Sequence, residues 1–388
     1  MAIPLSYSYR NLMVRKTTTV MTALGIALTV TVLLGIAALV DGLRGALEVT
    51  GHPRQLIVMR QGSAAELVSV VLGDKFDIIR LLEGIERIDG EPAASHEVIS
   101  VVSLPLRSDM TQSANINVRG LSPVGLKMRD GIRLVEGRWF EPGKREVVVG
   151  EGLHGMRAQT SVGDKIEFGR GEWEVVGVFD AGRSAYNSEA WADGNLATSD
   201  LNRGNARSAV LVRAQDAVAA EALKNRIEQD QRLLLEAETE HDYYAKQMSS
   251  AAPIQGLGVF VALIMAIGSC FAAMNTMYTA VARRSAEIGT LRMLGFSRGS
   301  ILVSFMLESL ALSLLGGALG CLLVLPLNGL EGRIGNFITF SETTFSFQVT
   351  PQSMMIGVAF AALMGVFGGL LPARMAARKT ILGALRDA

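Results

Sequence analysis

The chain has 388 residues, of which 49% are hydrophobic and 19% charged, with 37 basic and 37 acidic side chains. Its mean hydropathy of +0.32 excludes an intrinsically disordered chain and predicts that part of the chain lies in lipid. Cys270 and Cys321 both lie inside apolar runs, which excludes a small secreted scaffold held together by disulfides.

Long apolar runs predict four transmembrane helices, because about 20 apolar residues cross a bilayer as a helix. Residues 247–282 contain no charged side chain, and Glu308 is the only charge within 300–330. The predicted transmembrane helices are 18–40, 256–282, 300–326 and 352–373. The first run is long and has no small-residue cleavage motif after it, which favours a membrane anchor over a cleaved signal peptide.

The charges around these helices predict their orientation. Segments 1–17, 283–299 and 374–388 together carry eleven basic and two acidic residues, whereas 41–255 carries 25 basic and 32 acidic ones. Since basic residues in short flanks stay on the cytoplasmic side, these three segments are expected in the cytoplasm. The 215-residue segment 41–255 and the short loop 327–351 are then expected outside.

Segment 41–255 is predicted to form an α+β domain with a β-rich subdomain inserted at about 122–205. Residues 64–88 show apolar positions at helical spacing, with a break at Gly73–Asp74, and 217–234 reads as an amphipathic helix. Strands are predicted at 55–60, 97–107, 116–121, 146–150, 165–168, 172–179 and 208–212.

No catalytic constellation is apparent in this segment. The four histidines are scattered without the spacing of a zinc site, and the chain contains no Walker A loop. The alternating acids Glu236, Glu238 and Glu240 are predicted to form a solvated face. We therefore expect no catalytic residue, metal or cofactor in this chain, and no nucleic acid as a partner.

A short amphipathic helix, Ser285–Leu294, is predicted at the cytoplasmic surface between the second and third transmembrane helices. Its apolar residues Ile288, Leu291 and Leu294 recur every three positions, Gly295 ends it, and Ser297 can cap the next helix. Such a helix is either a surface-lying connector or a binding site for a cytoplasmic partner.

Several motifs resemble the permease core of the FtsX/MacB superfamily, the type VII ABC transporters. Residues 275–320 read NTMYTAVARRSAEIGTLRMLGFSRGSILVSFMLESLALSLLGGALG. Further similar stretches are Tyr9–Leu12 before the first helix and Leu371–Arg378 after the fourth. In the outside segment, Glu136–Phe140 and Val162–Ile166 resemble the MacB-like periplasmic core domain, so the resemblance covers nearly the whole chain.

The resemblance implies a multi-pass protein of the bacterial inner membrane whose large domain lies in the periplasm. It implies a permease that dimerises, with itself or a paralogue, and binds a cytoplasmic ABC ATPase through the loop 283–298. This permease is expected to lack a fused ATPase domain, so ATP and magnesium are expected in a separate ATPase subunit, which moves the periplasmic domains by mechanotransmission. The ATPase-coupling residues implied are Arg283, Arg284, Glu287, Ile288, Gly289, Leu291, Arg292, Leu294 and Gly295.

Two further sets of residues admit more than one role. Glu308, inside the third transmembrane helix, is predicted to have a structural or coupling role and to pair with a base such as Arg283 or Arg284. Small-residue positions allow close helix contact, either at a dimer seam or inside one subunit. These positions are Gly316 and Gly320 in the third helix and Ala361, Gly365 and Gly369 in the fourth.

The predicted function is therefore that of an ABC transporter permease that exports or extracts a lipophilic, lipoprotein or peptide/drug cargo. Further expected partners are a periplasmic adaptor protein and the membrane lipid around the helices. The alternative is an FtsX-like signalling scaffold that regulates a periplasmic hydrolase. The size of segment 41–255 and its MacB-like motifs favour transport.

Overall fold

The computed structural model describes residues 16–48, 50–107, 109–154, 156–247, 252–335 and 342–378. Most of the predicted N-terminal segment 1–17 and of the tail 374–388, with the similar stretch Tyr9–Leu12, lies outside this described part. The described residues form two compact units. A helical unit comprises the residues up to 41, 253–330 and those from 347 onward, and a sheet unit comprises 42–252 and 331–346.

The described helices are α1 (Lys16–Glu48), α2 (Gly73–Ile79), α3 (Pro123–Lys127), α4 (Glu151–His154), α5 (Gly194–Asp200), α6 (Ala217–Gln229), α7 (Glu240–Gln247), α8 (Ala252–Arg283), α9 (Ser285–Met293), α10 (Arg298–Val324) and α11 (Pro351–Arg378). The described strands are β1 (Gln55–Arg60), β2 (Val71–Leu72), β3 (Arg87–Ile88), β4 (Glu91–Pro92), β5 (Ala94–Pro105), β6 (Ser113–Leu121), β7 (Arg133–Gly137), β8 (Glu146–Gly150), β9 (Lys165–Phe168), β10 (Gly171–Asp180), β11 (Glu189–Asp193), β12 (Ala206–Arg207), β13 (Ala209–Arg213), β14 (Leu235–Thr239), β15 (Glu331–Gly335) and β16 (Glu342–Ser346).

Within the described part of the chain, four helices of the helical unit are long and apolar enough to cross a membrane, the number that the sequence predicts. The spans are Thr19–Gly45, Gly256–Arg283, Arg298–Leu327 and Pro351–Arg378. α1, α8 and α11 continue at both ends beyond the predicted ranges, because intrahelical hydrogen bonds do not end where the side chains become polar, whereas α10 ends at Val324, two residues before Pro326. Many large apolar side chains on these helices are exposed, as expected of surfaces that face lipid.

The sheet unit is built on one long sheet with the order β14-β1-β13-β5-β6-β11-β8-β10-β7, and β9 pairs with β10. β5 connects the two halves of this sheet. Its start, Ala94–Glu97, pairs with β13, and its remainder from Val98 pairs antiparallel with β6. β6 in turn lies parallel to β11. The strand group before residue 122 and the predicted β-rich group therefore share one sheet. β6, which ends at Leu121, already pairs with β11 of the β-rich group.

A continuous hydrophobic core supports the β-rich half of the sheet. Alternate residues of its strands are buried there, including Val147 and Val149 of β8 and Val175 of β10. Trp173 is fully buried and stacks on Phe168 with ring centroids 4.4 Å apart. The period of two that predicts these strands thus corresponds to a buried face.

The helix predicted over 64–88 is largely wrong. The segment contains a 3₁₀ turn at Glu66–Val68, the two-residue strand β2 and the short helix α2. Gly73 starts α2 and does not break a longer helix. An added Cβ at Gly73 would lie 2.2 Å from the Asn205 side-chain oxygen. Glycine is therefore required here because Asn205, distant in sequence, packs against the backbone, and not because of local helix preference.

The short predicted loop 327–351 contains a hairpin that belongs to the sheet unit. β15 and β16 pair antiparallel, with Arg333 opposite Thr344. Ser188 Oγ accepts a hydrogen bond from the Thr344 backbone N–H (2.9 Å), and the nearly buried Arg157 forms an ion pair with Glu342. Phe345 is 6% exposed. The hairpin strands β15 and β16, which lie between α10 and α11 in sequence, therefore belong to the same unit as residues 42–252.

Candidate functional site

The candidate site is α9 with the residues that join it to α8 and α10. Arg284 interrupts the helical backbone between α8 and α9 (φ −105°, ψ 20°). Gly295 follows α9 with φ +91°, a value that suits glycine. Ser297 then caps α10 by accepting a hydrogen bond from the Ser300 N–H (3.2 Å). The short helix predicted from spacing is present, and it ends one residue earlier than predicted.

The inner face of α9 packs against three transmembrane helices. Ser285, Ile288 and Gly289 are buried. Ile288 belongs to an apolar cluster with Val281 of α8 and Phe305 of α10, and with residues of α11. This contact holds α9 against α8, α10 and α11.

The apolar side of α9 is only partly buried. Leu291 is half-buried, whereas Leu294 is 65% exposed because the helix ends before it. Met293 is 54% exposed. Of the coupling residues implied by the resemblance, Arg283, Glu287, Leu294 and Gly295 are exposed, Leu291 and Arg292 are half-buried, and Arg284, Ile288 and Gly289 are buried. The set therefore divides into an exposed surface and an anchor.

Arg284 provides the polar part of the anchor. Its Nη1 donates to Glu308 Oε2 at 2.8 Å, and both side chains are almost fully buried. Its guanidinium also lies over the Phe305 ring, 5.0 Å from the centroid. A weaker contact of 3.3 Å reaches Glu287, whose side chain is 56% exposed. The intramembrane acid thus pairs with Arg284, one of the two candidate bases, and the pair connects the start of α9 to the middle of α10.

The small residues of the transmembrane helices lie at contacts inside this one chain. A Cβ added at Gly316 or Gly320 would come within 2.8 Å of a backbone oxygen of α1. Gly365 and Gly369 of α11 face Ser313 and Ser309 of α10 in the same way. Of the two roles that the sequence left open, these glycines therefore show internal packing, which brings α10 close to both α1 and α11.

A polar seam between α1 and α8 was missed from the sequence. Thr22 Oγ1 lies 2.9 Å from Thr276 Oγ1, and Thr29 Oγ1 lies 2.6 Å from Ser269 Oγ. The two pairs are seven residues apart on both helices, as expected of antiparallel helices that keep one face in contact. The signal was available as hydroxyl residues at heptad spacing within two apolar runs.

The sheet unit contains a buried charge cluster that the sequence did not predict either. Arg119 contacts Glu66 at 2.9 Å, Glu97 at 3.1 Å and Glu189 at 2.8 Å. Burial alone would raise the pKa of Glu97, but Arg129 and Arg119 lower it to about 2. Burial raises the pKa of Glu66, and Arg119 offsets this in part. Each charged side chain in this cluster has an oppositely charged partner, so the cluster has a structural role. It connects β5, β6 and β11.

The predicted solvated acidic face is wrong at Glu240. This residue is 1% exposed and accepts hydrogen bonds from Gln55 Nε2 (2.7 Å) and from the His52 N–H (2.9 Å). Glu236 and Glu238 lie in β14 with more exposed side chains. Within the described ranges, no three His, Cys, Asp or Glu side chains are grouped to hold a metal ion.

Two family profiles match this chain. Residues 19–230 match the MacB-like periplasmic core domain, and residues 259–381 match the FtsX-like permease C-terminal domain. The second match begins inside α8 and covers the last three long helices. The first match covers most of α1 and most of the sheet unit.

Individual relatives carry transporter names. The chain is 26% identical over 385 residues to the macrolide export ATP-binding/permease protein MacB 1 of Aeromonas hydrophila, covering 91% of this chain and 57% of that protein. It is 27% identical over 297 residues to MacB of Pasteurella multocida, covering 71% and 44%. The uncharacterized ABC transporter permease YknZ of Bacillus subtilis is 32% identical over 158 residues, covering 38% and 37%. This chain spans roughly half the length of the MacB relatives it matches.

Two solved structures are also similar. The periplasmic region of MacB from Actinobacillus actinomycetemcomitans covers 51% of this chain and 94% of its own, with 13% identity and a TM-score of 0.38. The extracellular domain of the noncanonic ABC-type transporter YknZ from Gram-positive bacteria covers 48% and 100%, with 15% identity and a TM-score of 0.35.

Proposed function

Because the chain belongs to the family of ABC transporter permeases that combine a MacB-like periplasmic core domain with an FtsX-like permease domain, we propose that it is the permease subunit of a transporter driven by a separate ATPase. The ATPase binds ATP and magnesium, and this chain binds neither. The helical unit lies in the inner membrane, and the sheet unit lies in the periplasm, with a porter-like part that carries the β-rich group as an insertion.

The observation that carries the proposal is the division of α9 into an exposed surface and a buried anchor. Glu287, Met293 and Leu294 are exposed and offer the ATPase one acidic and two apolar contacts. Arg284 and Ile288 tie the same helix to α10 and to the helices beside it. Because breaking a buried ion pair is costly, this pair keeps α9 attached to α10 when a partner moves α9, which supports force transmission over the role of a simple connector.

The proposed route from the ATPase to the periplasm uses chain continuity. Movement of α9 shifts α10 through Arg284 and Glu308, and α10 shifts α1 through the contacts at Gly316 and Gly320. α1 leads into the sheet unit and α8 leads out of it, while the β15–β16 hairpin joins the same unit to α10 and α11. This is mechanotransmission, in which ATP hydrolysis moves a periplasmic domain and no substrate passes through a membrane pore.

The cargo that suits this arrangement is a lipophilic molecule, a lipoprotein or a peptide or drug that the periplasmic domain moves after it leaves the membrane. The relatives from Aeromonas hydrophila and Pasteurella multocida are named for macrolide export. A functional unit has two permease copies, identical or paralogous, each with one ATPase. A periplasmic adaptor completes the path in an exporter of this design.

The proposal is tested by photo-crosslinking at the exposed surface of α9. A photoreactive amino acid at Leu294 of the full chain should capture an ABC ATPase, identified by its Walker A peptide. The Glu287→Arg substitution should reduce capture and ATPase co-purification, because it reverses one exposed charge. The matched control is Glu331→Arg, which reverses an exposed acid on the hairpin and should leave both unchanged.

If Leu294 captures no ATPase while the protein is folded and in the membrane, the coupling role of α9 is wrong. If a periplasmic hydrolase is instead the one protein that responds to ATPase mutations, the chain is a signalling scaffold and not a transporter.

A further inference from the structure

An apolar groove of about 630 Å³ runs between α8 and α11 in the helical unit. Its floor is formed by the smaller or more buried side chains Ala266, Cys270 and Met364. Phe271 and Phe367, 64% and 63% exposed, stand at its sides. The lining is almost entirely carbon and sulfur, so the groove suits a hydrocarbon chain and offers nothing to a polar ligand.

The two helices that form the groove run in the same direction and in a defined register. A Cβ added at Gly368 would lie 3.1 Å from the Ala273 side chain, and Cys270 Sγ lies 3.7 Å from the Met364 carbonyl oxygen. In this register the last residue of α8, Arg283, is level with the last residue of α11, Arg378. Arg283 lies on the side of α8 that faces α1, seven residues beyond Thr276, whereas Arg378 lies seven residues beyond Leu371 on the groove side of α11.

That end of the groove carries a further positive charge. Leu370 and Leu371 line the groove, and Arg374 follows one helical turn later on the same face of α11. Arg374 and Arg378 are both exposed, and within the described ranges neither forms an ion pair. At the same level α8 presents the half-buried Tyr278, a residue type that favours the membrane interface.

We propose that this groove binds an anionic phospholipid, with one acyl chain between α8 and α11 and the phosphate at Arg374 and Arg378. The apolar lining explains the chain and the two arginines explain the charge, because basic pockets between transmembrane helices bind anionic head groups. A second permease copy would cover the apolar walls, but this contact would not by itself place a negative charge at the arginines. The bound lipid holds α11 beside α8 at the level of α9.

The lipid site is tested through the two cysteines of the full chain, without the ATPase, so its outcome is independent of the proposed transport function. In a Cys321→Ser variant, Cys270 reports on the groove by its rate of reaction with N-ethylmaleimide. Increasing the phosphatidylglycerol fraction of phosphatidylcholine nanodiscs should slow this reaction. The matched control is Cys270→Ser, in which Cys321, which does not line the groove, should react at the same rate in both lipids.

Arg374→Gln and Arg378→Gln should each raise the phosphatidylglycerol fraction needed for half-protection about fivefold, the equivalent of about 1 kcal/mol for one basic side chain. The lysine substitutions at both positions should retain most of the protection. Native mass spectrometry should detect phosphatidylglycerol retained by the parent chain and lost from the Gln double variant.

Equal protection of Cys270 by both lipids would overturn the proposal, because the arginines would then show no preference for the anionic lipid. Protection that depends on protein concentration and not on lipid charge would show that a second copy covers the groove. The arginine substitutions are therefore also made in the Cys270→Ser background, where an unchanged Cys321 rate shows that they leave the protein folded. Loss of Cys270 protection in the Cys321→Ser background then supports the lipid site.

Discussion

The Arg284–Glu308 ion pair should be the strongest polar contribution to the anchor of α9. Both side chains are at most 8% exposed, and the two charged atoms are 2.8 Å apart. Removing one partner of such a pair leaves a charge buried alone and costs roughly 3–5 kcal/mol. We therefore expect Arg284→Met and Glu308→Leu each to reduce the free energy of unfolding by about that amount.

The double variant should lose much less than the sum of the two single losses, because it leaves no unpaired charge. The interaction free energy of this cycle should be about 2–3 kcal/mol. Phe305→Leu should cost less, since it removes a cation–π contact of about 1–2 kcal/mol and keeps an apolar side chain. The free energies are measured by reversible unfolding of the full chain in mixed micelles with increasing sodium dodecyl sulfate.

Glu287→Ala is the matched control for this prediction. Its contact with the same arginine is longer, at 3.3 Å, and its side chain is 56% exposed. Exposed pairs contribute about 0–1 kcal/mol, so this variant should unfold almost like the parent chain. It should nevertheless weaken ATPase binding if the proposed function is right. Additive single losses, or a Glu287→Ala loss as large as that of Glu308→Leu, would refute the anchor.

Three further predictions concern packing, pH and the hairpin. Gly320→Ala should reduce the free energy of unfolding by about 1–3 kcal/mol, because the new Cβ would meet the Ala27 backbone oxygen at 2.8 Å, whereas Gly268→Ala, with nothing within 4 Å, should not. Burial lowers the pKa of His96 from 6.5 to about 4, so the sheet unit should be most stable above pH 6.5. Its free energy of unfolding should fall by up to about 3 kcal/mol as the pH falls towards 4. His96→Phe should remove this loss, as measured by unfolding curves at the two pH values. Arg157→Met should speed amide hydrogen exchange in β16 and leave exchange in β13 unchanged, because it removes the ion pair to Glu342. If the β16 exchange rate is the same in the parent and the variant, this pair does not hold the hairpin.

The membrane architecture could be predicted from the sequence because a bilayer imposes a one-dimensional rule. A helix must be apolar for about 20 residues whatever its neighbours are, so composition alone located the four spans. The same holds for α9, whose position follows from Arg284, Gly295 and Ser297, local signals that act over a few residues.

The parts that failed depend on distant residues. The segment 64–88 has helical spacing, yet its apolar residues serve short elements that pack on β5 and β12. Glu240 alternates with exposed acids in sequence, but Gln55 and His52, almost 190 positions away, supply the hydrogen bonds that permit its burial. Local pattern carries no information about such partners.

The sequence by itself determined which stretches enter the membrane, which end of each is basic, and where the interfacial helix lies, since these depend on how each residue interacts with lipid or water. The tertiary structure decided which of two arginines pairs with Glu308, which glycines face α1 or α10, and that the β15–β16 hairpin belongs to the sheet unit. Each of these choices depends on the rotation and register of packed helices and strands, which the free energy of the whole packed chain selects.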